Sequence, residues 1–270
     1  MDRQGRKAKE LLTLLRNPDT GNSLVNENGF LKDRETGERF PVREGIPVIL
    51  RKDDVFGRNR KQQKGYDWGS HLYDLVYKFN LSKRWLSEIA GIMKVNSGDY
   101  ILETSVGTGQ QLLNLNNHGV DGHFFGHDIS YGMLRKCRKN LGKWGLDAGL
   151  VQGNAEALPF GDEIFDAVFH VGGFNFFNDK KKAVEEMIRV AKPGANLYIV
   201  DETDDIREKS GIVAGVISRF LPEREVFVPP VKYIPHEMLE VSEYRLLDGK
   251  FWMVSFQKPV IKEWMQEGND

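Results

Sequence analysis

The residues of this chain best suited to chemistry are two acids and a glycine turn: Glu103, Gly107, Gly109 and Asp128. The stretch Glu103-Thr104-Ser105-Val106-Gly107-Thr108-Gly109 follows a short apolar run, Tyr100-Ile101-Leu102. It opens a segment with helical spacing at Leu112, Leu113 and Leu115. A second apolar run from His123 ends in Gly126-His127-Asp128-Ile129-Ser130. Glycines let the backbone turn tightly and approach a ligand, and an acid ending the next strand can take both hydroxyls of a ribose. Glu103 narrows the ligand class further. A carboxylate inside the turn repels a pyrophosphate but suits a ligand with an ammonium or sulfonium charge.

The order strand, glycine turn, helix, strand and terminal acid describes one nucleotide-binding half of a doubly wound sheet. The second half is legible downstream. Phe165-Asp166-Ala167-Val168-Phe169-His170 reads as a strand, Arg189 to Ala195 as a helix end with a Pro193-Gly194 turn, and Asn196 to Val200 as the next strand. Val241 to Leu247 and Phe251 to Gln257 flank an Asp248-Gly249 turn, a strong hairpin signal. Before the sheet, Lys7 to Arg16 has helical spacing and stops at Asn17-Pro18. Short β-like runs follow at residues 23–25, 29–31 and 39–42, and Ile46 to Leu50 closes the unit. Residues 51–65 are polar and read as a linker, and an aromatic segment begins at Tyr66.

The turn resembles motif I of the class I S-adenosylmethionine-dependent methyltransferases, usually acid-x-Gly-x-Gly-x-Gly, with Ser105 in place of the first glycine. Gly153-Asn154-Ala155-Glu156-Ala157-Leu158-Pro159-Phe160 resembles the segment that borders the adenine, and Asn154 stands where aspartate is frequent. The resemblance covers about residues 97–203. It implies an α/β, Rossmann-like fold with a seven-stranded sheet whose last strand is antiparallel. It also implies S-adenosyl-L-methionine as cofactor, bordered by Tyr73, Glu103, Ser105, Gly107, Gly109, Asp128, Ile129, Met133, Asn154, Ala155 and His170. Tyr73-Asp74-Leu75 through Lys83-Arg84-Trp85 resembles the helical cap of the ubiquinone/menaquinone-biosynthesis methyltransferases. Leu11-Leu12 through Leu50 resembles a small zinc-ribbon module, but Asn17-Pro18-Asp19-Thr20 replaces its Cys-Pro-x-Cys. Zinc needs thiolate or imidazole ligands here, so the metal is expected to be lost. The implied organisation is a degenerate ribbon over 1–52, linker and cap over 53–96, and a methyltransferase domain over 97–270 with a lid at about 205–234.

Composition narrows the classes. The chain has 270 residues, 40% of them hydrophobic, and a formal net charge of −1. It has no apolar run near the ~18 residues of a membrane span, and Met1 to Gly5 lacks the apolar core of a secretory signal. Cys137 is the only cysteine, which excludes an internal disulfide and fits a reducing, cytoplasmic setting. Residues 1–65 hold 15 basic and 10 acidic side chains (+5), against 23 and 29 in the remainder (−6). That basic part can touch a phosphate or membrane surface peripherally, but no basic-aromatic stripe accompanies it, so nucleic acid is not the expected partner.

Methyl transfer from a sulfonium is a direct displacement, and positioning with exclusion of water supplies much of the rate. A base helps oxygen or carbon acceptors, and His170, at the end of its strand, is the candidate base or acceptor-orienting group against plain packing. Tyr66, His71, Phe174 and Phe177 are the candidates for the acceptor pocket. The function expected is methylation of a small, apolar or aromatic molecule. The alternatives are a quinone-pathway carbon methyltransferase, against which Ser105, the divergent cap and the extra N-terminal module count, an RNA methyltransferase, and a cofactor-binding scaffold without catalysis.

Overall fold

The computed structural model describes residues 3–51, 57, 81–203 and 229–260. Residues 52–56 and 58–80 of the linker and cap and lid residues 205–228 therefore lie outside the described residues. The amphipathic helix α1 (Arg3–Leu14) leads into an antiparallel sheet of β1 (Leu24–Glu27), β2 (Phe30–Asp33), β3 (Arg39–Arg43) and β4 (Ile46–Pro47). Two of its turns are two-residue loops with left-handed backbone, Asn28-Gly29 (φ 51° and 82°) and Glu44-Gly45 (φ 47° and 77°). Those signs match the strand twist, which fixes the register Glu27 opposite Phe30 and Arg43 opposite Ile46.

After α2 (Leu81–Ile92) the main sheet begins with β5 (Tyr100–Glu103), α3 (Gln110–Asn117), β6 (His123–Asp128), α4 (Tyr131–Trp144) and β7 (Ala148–Gln152). It continues through β8 (Phe165–Val171), α5 (Lys180–Val190), β9 (Ala191–Glu202), β10 (Leu239–Leu246) and β11 (Phe251–Gln257). The strand order is β10-β11-β9-β8-β5-β6-β7. β5 to β9 are parallel, and β11 runs antiparallel to both its neighbours. The expected fold is present. From β5 the chain winds outward to β6 and β7, then crosses back to β8 on the other side. The carboxyl ends of β5 and β8 thus border the switch point where such sheets bind ligands.

Alternating strand residues feed two cores. Leu102, Phe125, Val168, Leu197 and Trp252 pack with Leu11, Leu15 and Met187 on one face. Ile101, Phe169, Val200 and Met253 pack with Ile89, Leu112 and Leu134 on the other. The N-terminal sheet shares the cores of the main domain: Leu24, Leu31, Phe40 and Ile49 belong to the first of these clusters and Ile46 to the second. Val48 also pairs in parallel with Gln152, extending the main sheet past β7.

One local expectation is corrected. The Pro193-Gly194 turn does not separate α5 from a strand starting at Asn196. Phe165 already pairs with Ala191, and Ala167 pairs with Asn196, so Lys192 to Ala195 bulge out of a strand under way. Gly194 takes φ 82° there, and its N–H reaches the carbonyl of Lys258.

Candidate active site

The glycine turn is shaped by two left-handed residues, Gly107 (φ 51°) and Gly109 (φ 83°). Gly109 caps α3, and a Cβ on it would stand 2.9 Å from the sulfur of Cys137. Ser105 keeps φ negative, so the backbone at the substituted position makes no demand for glycine. Asp128 closes the turn from β6. Its Oδ2 accepts from Gly107 N–H at 2.9 Å and its Oδ1 from Ser130 N–H at 2.8 Å. Ser130 in turn caps α4 by accepting from Met133 N–H. The carboxylate is thus oriented by two backbone donors at the mouth of the sheet. Met133 is buried, Ile129 is half-buried, and the Ile129 carbonyl is held by Gln152 Nε2 at 2.9 Å.

Glu103 ends β5 and is 3% exposed. Its Oε2 has no hydrogen-bond partner among the described residues. Burial first, and then the neighbouring Asp128 carboxylate, push its pKa well above the ordinary 4.5. A buried acceptor without a donor is costly, which singles out the atom as waiting for a cation or donor from a ligand. The same surroundings raise the Cys137 thiol, through burial, then Glu103 and Asp128, which removes it as a nucleophile.

On the opposite face two buried imidazoles flank Thr104. His127 Nδ1 donates to the Thr104 carbonyl at 3.1 Å, and His170 Nδ1 lies 3.2 Å from the Thr104 hydroxyl. Both Nε2 atoms are buried without a partner among the described residues. Burial lowers His127 to about 4 despite the bond to Thr104. It lowers His170 to about 3, against the bond to the Gly172 backbone and with the help of nearby His127. The His170 ring is fully enclosed, with ring centroids 5.0 Å from Phe177 and 5.8 Å from Phe174. A base with a pKa near 3 is far from the neutral range where proton abstraction is effective. The geometry suits a neutral ring that fixes the loop after β8.

That loop has a second anchor which the sequence did not announce. Asp201, buried near the end of β9, accepts from Gly173 N–H at 3.3 Å, Asn175 N–H at 3.3 Å and Asn175 Nδ2 at 3.0 Å. Trp252 on β11, also unanticipated, meets Phe174 edge-on at 6.5 Å. Phe174 and Phe177 are buried, so in this state they support the loop from beneath. The segment after β7 is equally tied. Asn154 Oδ1 accepts from Glu156 N–H at 3.0 Å, Ala155 is buried, and Glu156 Oε1 accepts from Asn178 N–H at 2.8 Å. The structure therefore brings together Glu103, Ser105, Gly107, Gly109, Asp128, Ile129 and Met133 at one sheet edge. Asn154, Ala155 and His170 lie on its flanks. Tyr66, His71 and Tyr73 lie outside the described residues.

Comparisons with known proteins agree with this geometry. Residues 102–199 match a family profile described as a methyltransferase domain. A demethylmenaquinone methyltransferase of Thermus thermophilus is 31% identical over 154 residues, 56% of this chain and 70% of the relative. That of Listeria welshimeri is 32% identical over 149 residues, which cover 53% of this chain and 63% of the relative's length. Among solved structures, one resembles this chain at a TM-score of 0.59 and 17% identity, over 74% of this chain and 98% of the other. It comes from the complex of the Haloferax volcanii Trm112 methyltransferase activator with a putative methyltransferase. The [4+2]-cyclase SpnF resembles it at 0.60 and 15% identity, over 74% and 96% of the two chains. Those two likenesses concern the fold alone.

Proposed function

The chain belongs to the class I S-adenosylmethionine-dependent methyltransferases, and we propose that it methylates a small, apolar or aromatic acceptor. The observation that carries this reading is the buried Glu103, whose Oε2 has no hydrogen-bond partner among the described residues, beside an oriented Asp128 at the switch point of the sheet. The residues present fit S-adenosylmethionine. Asp128 would hold the ribose hydroxyls, Glu103 would face the positively charged end, and the Gly107–Gly109 turn would admit the ligand to the backbone. Bound there, the cofactor supplies an electrophilic methyl carbon on a sulfonium. Asn154 and Ala155 would border the base.

The chain's own contribution to the reaction is then chiefly positioning and exclusion of water. The Asp201–Asn175 bonds and the His170–Thr104 contact hold the loop that carries Phe174 and Phe177. In this reading that loop, with Phe174 and Phe177 packed beneath it, forms the apolar floor of the acceptor site, and Tyr66, His71 and Tyr73 are its proposed outer wall and cofactor cover. Because His170 stays neutral and enclosed, the acceptor would have to arrive already nucleophilic, or lose its proton to a group from the cap. The names of the relatives make a demethylated naphthoquinol the first acceptor to try.

The test is a thermal-unfolding titration with S-adenosylmethionine and S-adenosylhomocysteine, followed by an acceptor panel that includes RNA and reduced quinones. Ligand at 100 times its dissociation constant should add about 2.7 kcal/mol to stability. No shift at millimolar ligand overturns the reading. Binding without turnover on every acceptor would leave a cofactor-binding scaffold, and turnover on RNA alone would replace the acceptor class.

A further inference from the structure

The Arg43–Glu44 turn of the N-terminal sheet bonds to Tyr131, Arg135 and Arg138 of α4. Besides that turn, the sheet meets the main domain along two strips, one at the end of β7 and one on the segment that follows it. Ile49 N–H donates to the Gln152 carbonyl at 2.8 Å, at the point where Val48 pairs with Gln152. Arg16 N–H donates to the Pro159 carbonyl at 3.0 Å, Gly161 N–H donates to the Leu14 carbonyl at 3.2 Å, and Leu15 pairs with Phe160. Residues 152–161 are thus gripped by main-chain bonds at each end, with Asn154 and Ala155 between the grips.

The two strips are themselves tied together at the place where the ribbon resemblance would put a metal. Arg51, two residues beyond Ile49, reaches Asn17 Oδ1 at 3.1 Å, and Asn17 is the residue after Arg16. Arg51 also binds Glu38 in a forked pair at 2.6 and 2.8 Å, and Asp19 at 2.9 Å. Asn17 Nδ2 donates to Asp33 Oδ2 at 2.8 Å and to Glu38 Oε2 at 3.0 Å. Asp33 collects further bonds from Thr20, Asn22, Glu35 N–H and Thr36 N–H. A rigid planar guanidinium on one strip and a buried amide on the other fix the distance between the grips.

Resting on the cofactor reading above, we infer that the N-terminal sheet is a built-in positioning module for the adenine side of the cofactor site, with the Arg51–Asn17–Glu38 network setting its grip. Arg51 and Asn17 are positioning residues in this scheme, since they act through the backbone at 16 and 49. A second attachment provides the control. At the opposite end of the sheet Glu10 accepts from Tyr100 Oη, from His123 Nδ1 at 2.8 Å and from Lys7 Nζ at 2.9 Å. The bonds of Glu10 go to β5, β6 and Lys7 and none reaches residues 152–161, although α1 itself ends at Leu14, whose carbonyl is in the second grip.

The experiment compares full-length wild type, Arg51→Ala and Glu10→Ala by calorimetric titration with S-adenosylhomocysteine and by hydrogen exchange of the unliganded proteins. Arg51→Ala should speed exchange at the amides of Arg16, Ile49 and Gly161 and weaken binding about tenfold. Glu10→Ala should lower the melting temperature while leaving the dissociation constant within about twofold of wild type. An unchanged dissociation constant in Arg51→Ala, or equal weakening in both variants, overturns the inference, because the module would then act through stability alone. If the wild type itself binds no S-adenosylhomocysteine, the cofactor reading is what fails. The grip on 152–161 is then decided by exchange alone, with unchanged protection in Arg51→Ala counting against it.

Discussion

The hub around Asp33 and the ligand edge around Thr104 both bury polar side chains, and they treat them in opposite ways. Asp33 is fully enclosed, and its carboxylate is met by three side chains and two backbone N–H groups. At the edge, Glu103 Oε2, His127 Nε2 and His170 Nε2 are buried without partners among the described residues. A saturated network adds rigidity, whereas an orphaned group costs stability until a ligand or a movement satisfies it. The contrast separates a part of the molecule built to stay still from a part built to receive something.

Acid should break this contrast most visibly. Burial lowers the folded-state pKa of His127 to about 4 and of His170 to about 3, while the unfolded chain titrates near 6.5. Between those values the unfolded state binds more protons, so stability falls as pH drops, by up to about 1.4 kcal/mol per pH unit for each group. Asp33 behaves differently. Burial pushes its carboxyl up, but the bonds from Asn17, Thr36, Thr20 and Glu35 outweigh that and hold it well below the carboxylate range. Its contribution survives until the pH falls far lower. Hydrogen exchange followed from pH 7 to 4 should show protection lost around Thr104 and Gly172 before Asp33 and Thr36. The reverse order would mean that the histidines are solvated in solution.

Cutting the hub directly is the next largest effect. Asp33→Ala removes the acceptor for five donors and should lower the melting temperature by on the order of 10 °C. A drop of only a degree or two would show that neighbouring Glu38 or water takes over the role. Third comes Asp128→Ala, which should erase the cofactor-linked gain of about 2.7 kcal/mol at a hundredfold excess over the dissociation constant. A retained shift in that variant would move the ligand away from the β5–β6 edge.

How much of this was legible in the sequence follows from how local each signal is. The glycine turn, the acid that ends β6 and the Asp248-Gly249 hairpin are contiguous patterns in which backbone geometry dictates residue type, and the backbone has each of them where the sequence puts it. The hub was read only as missing cysteines. Asn17, Thr20, Asp33 and Glu38 look like ordinary turn residues until the fold gathers them. Asp201 has the same character, because its partner Asn175 is a loop residue on another element. The burial of His170 was hidden for a related reason. Alternation places it on a face, but only the packing of Phe174, Phe177 and Trp252 decides that the face is closed. The bulge at Lys192 to Ala195 shows the limit for backbone, since pairing with Phe165 overrode a turn signal that is locally sound.

The smallest effect is the most discriminating, because it should take opposite signs in the free and the liganded protein. Glu103 has a folded-state pKa raised by burial and by Asp128, so the folded state holds its proton more tightly than the unfolded chain does. Stability from this group is fully present below the ordinary 4.5 and is lost as pH rises toward the raised value. Glu103→Gln keeps the shape without the ionisable proton. It should therefore stabilise the free protein at pH 8 relative to its effect at pH 4. The same change removes the negative charge proposed to face the cofactor's cationic end, so affinity for S-adenosylmethionine should fall. Paired melting curves at the two pH values, with and without ligand, read both quantities. Stabilisation with undiminished binding would assign Glu103 to the fold alone, whereas destabilisation at pH 8 would show that the ionised carboxylate already has a donor in the free protein. Only a gain in one state with a loss in the other marks a buried acid kept unsatisfied for its ligand.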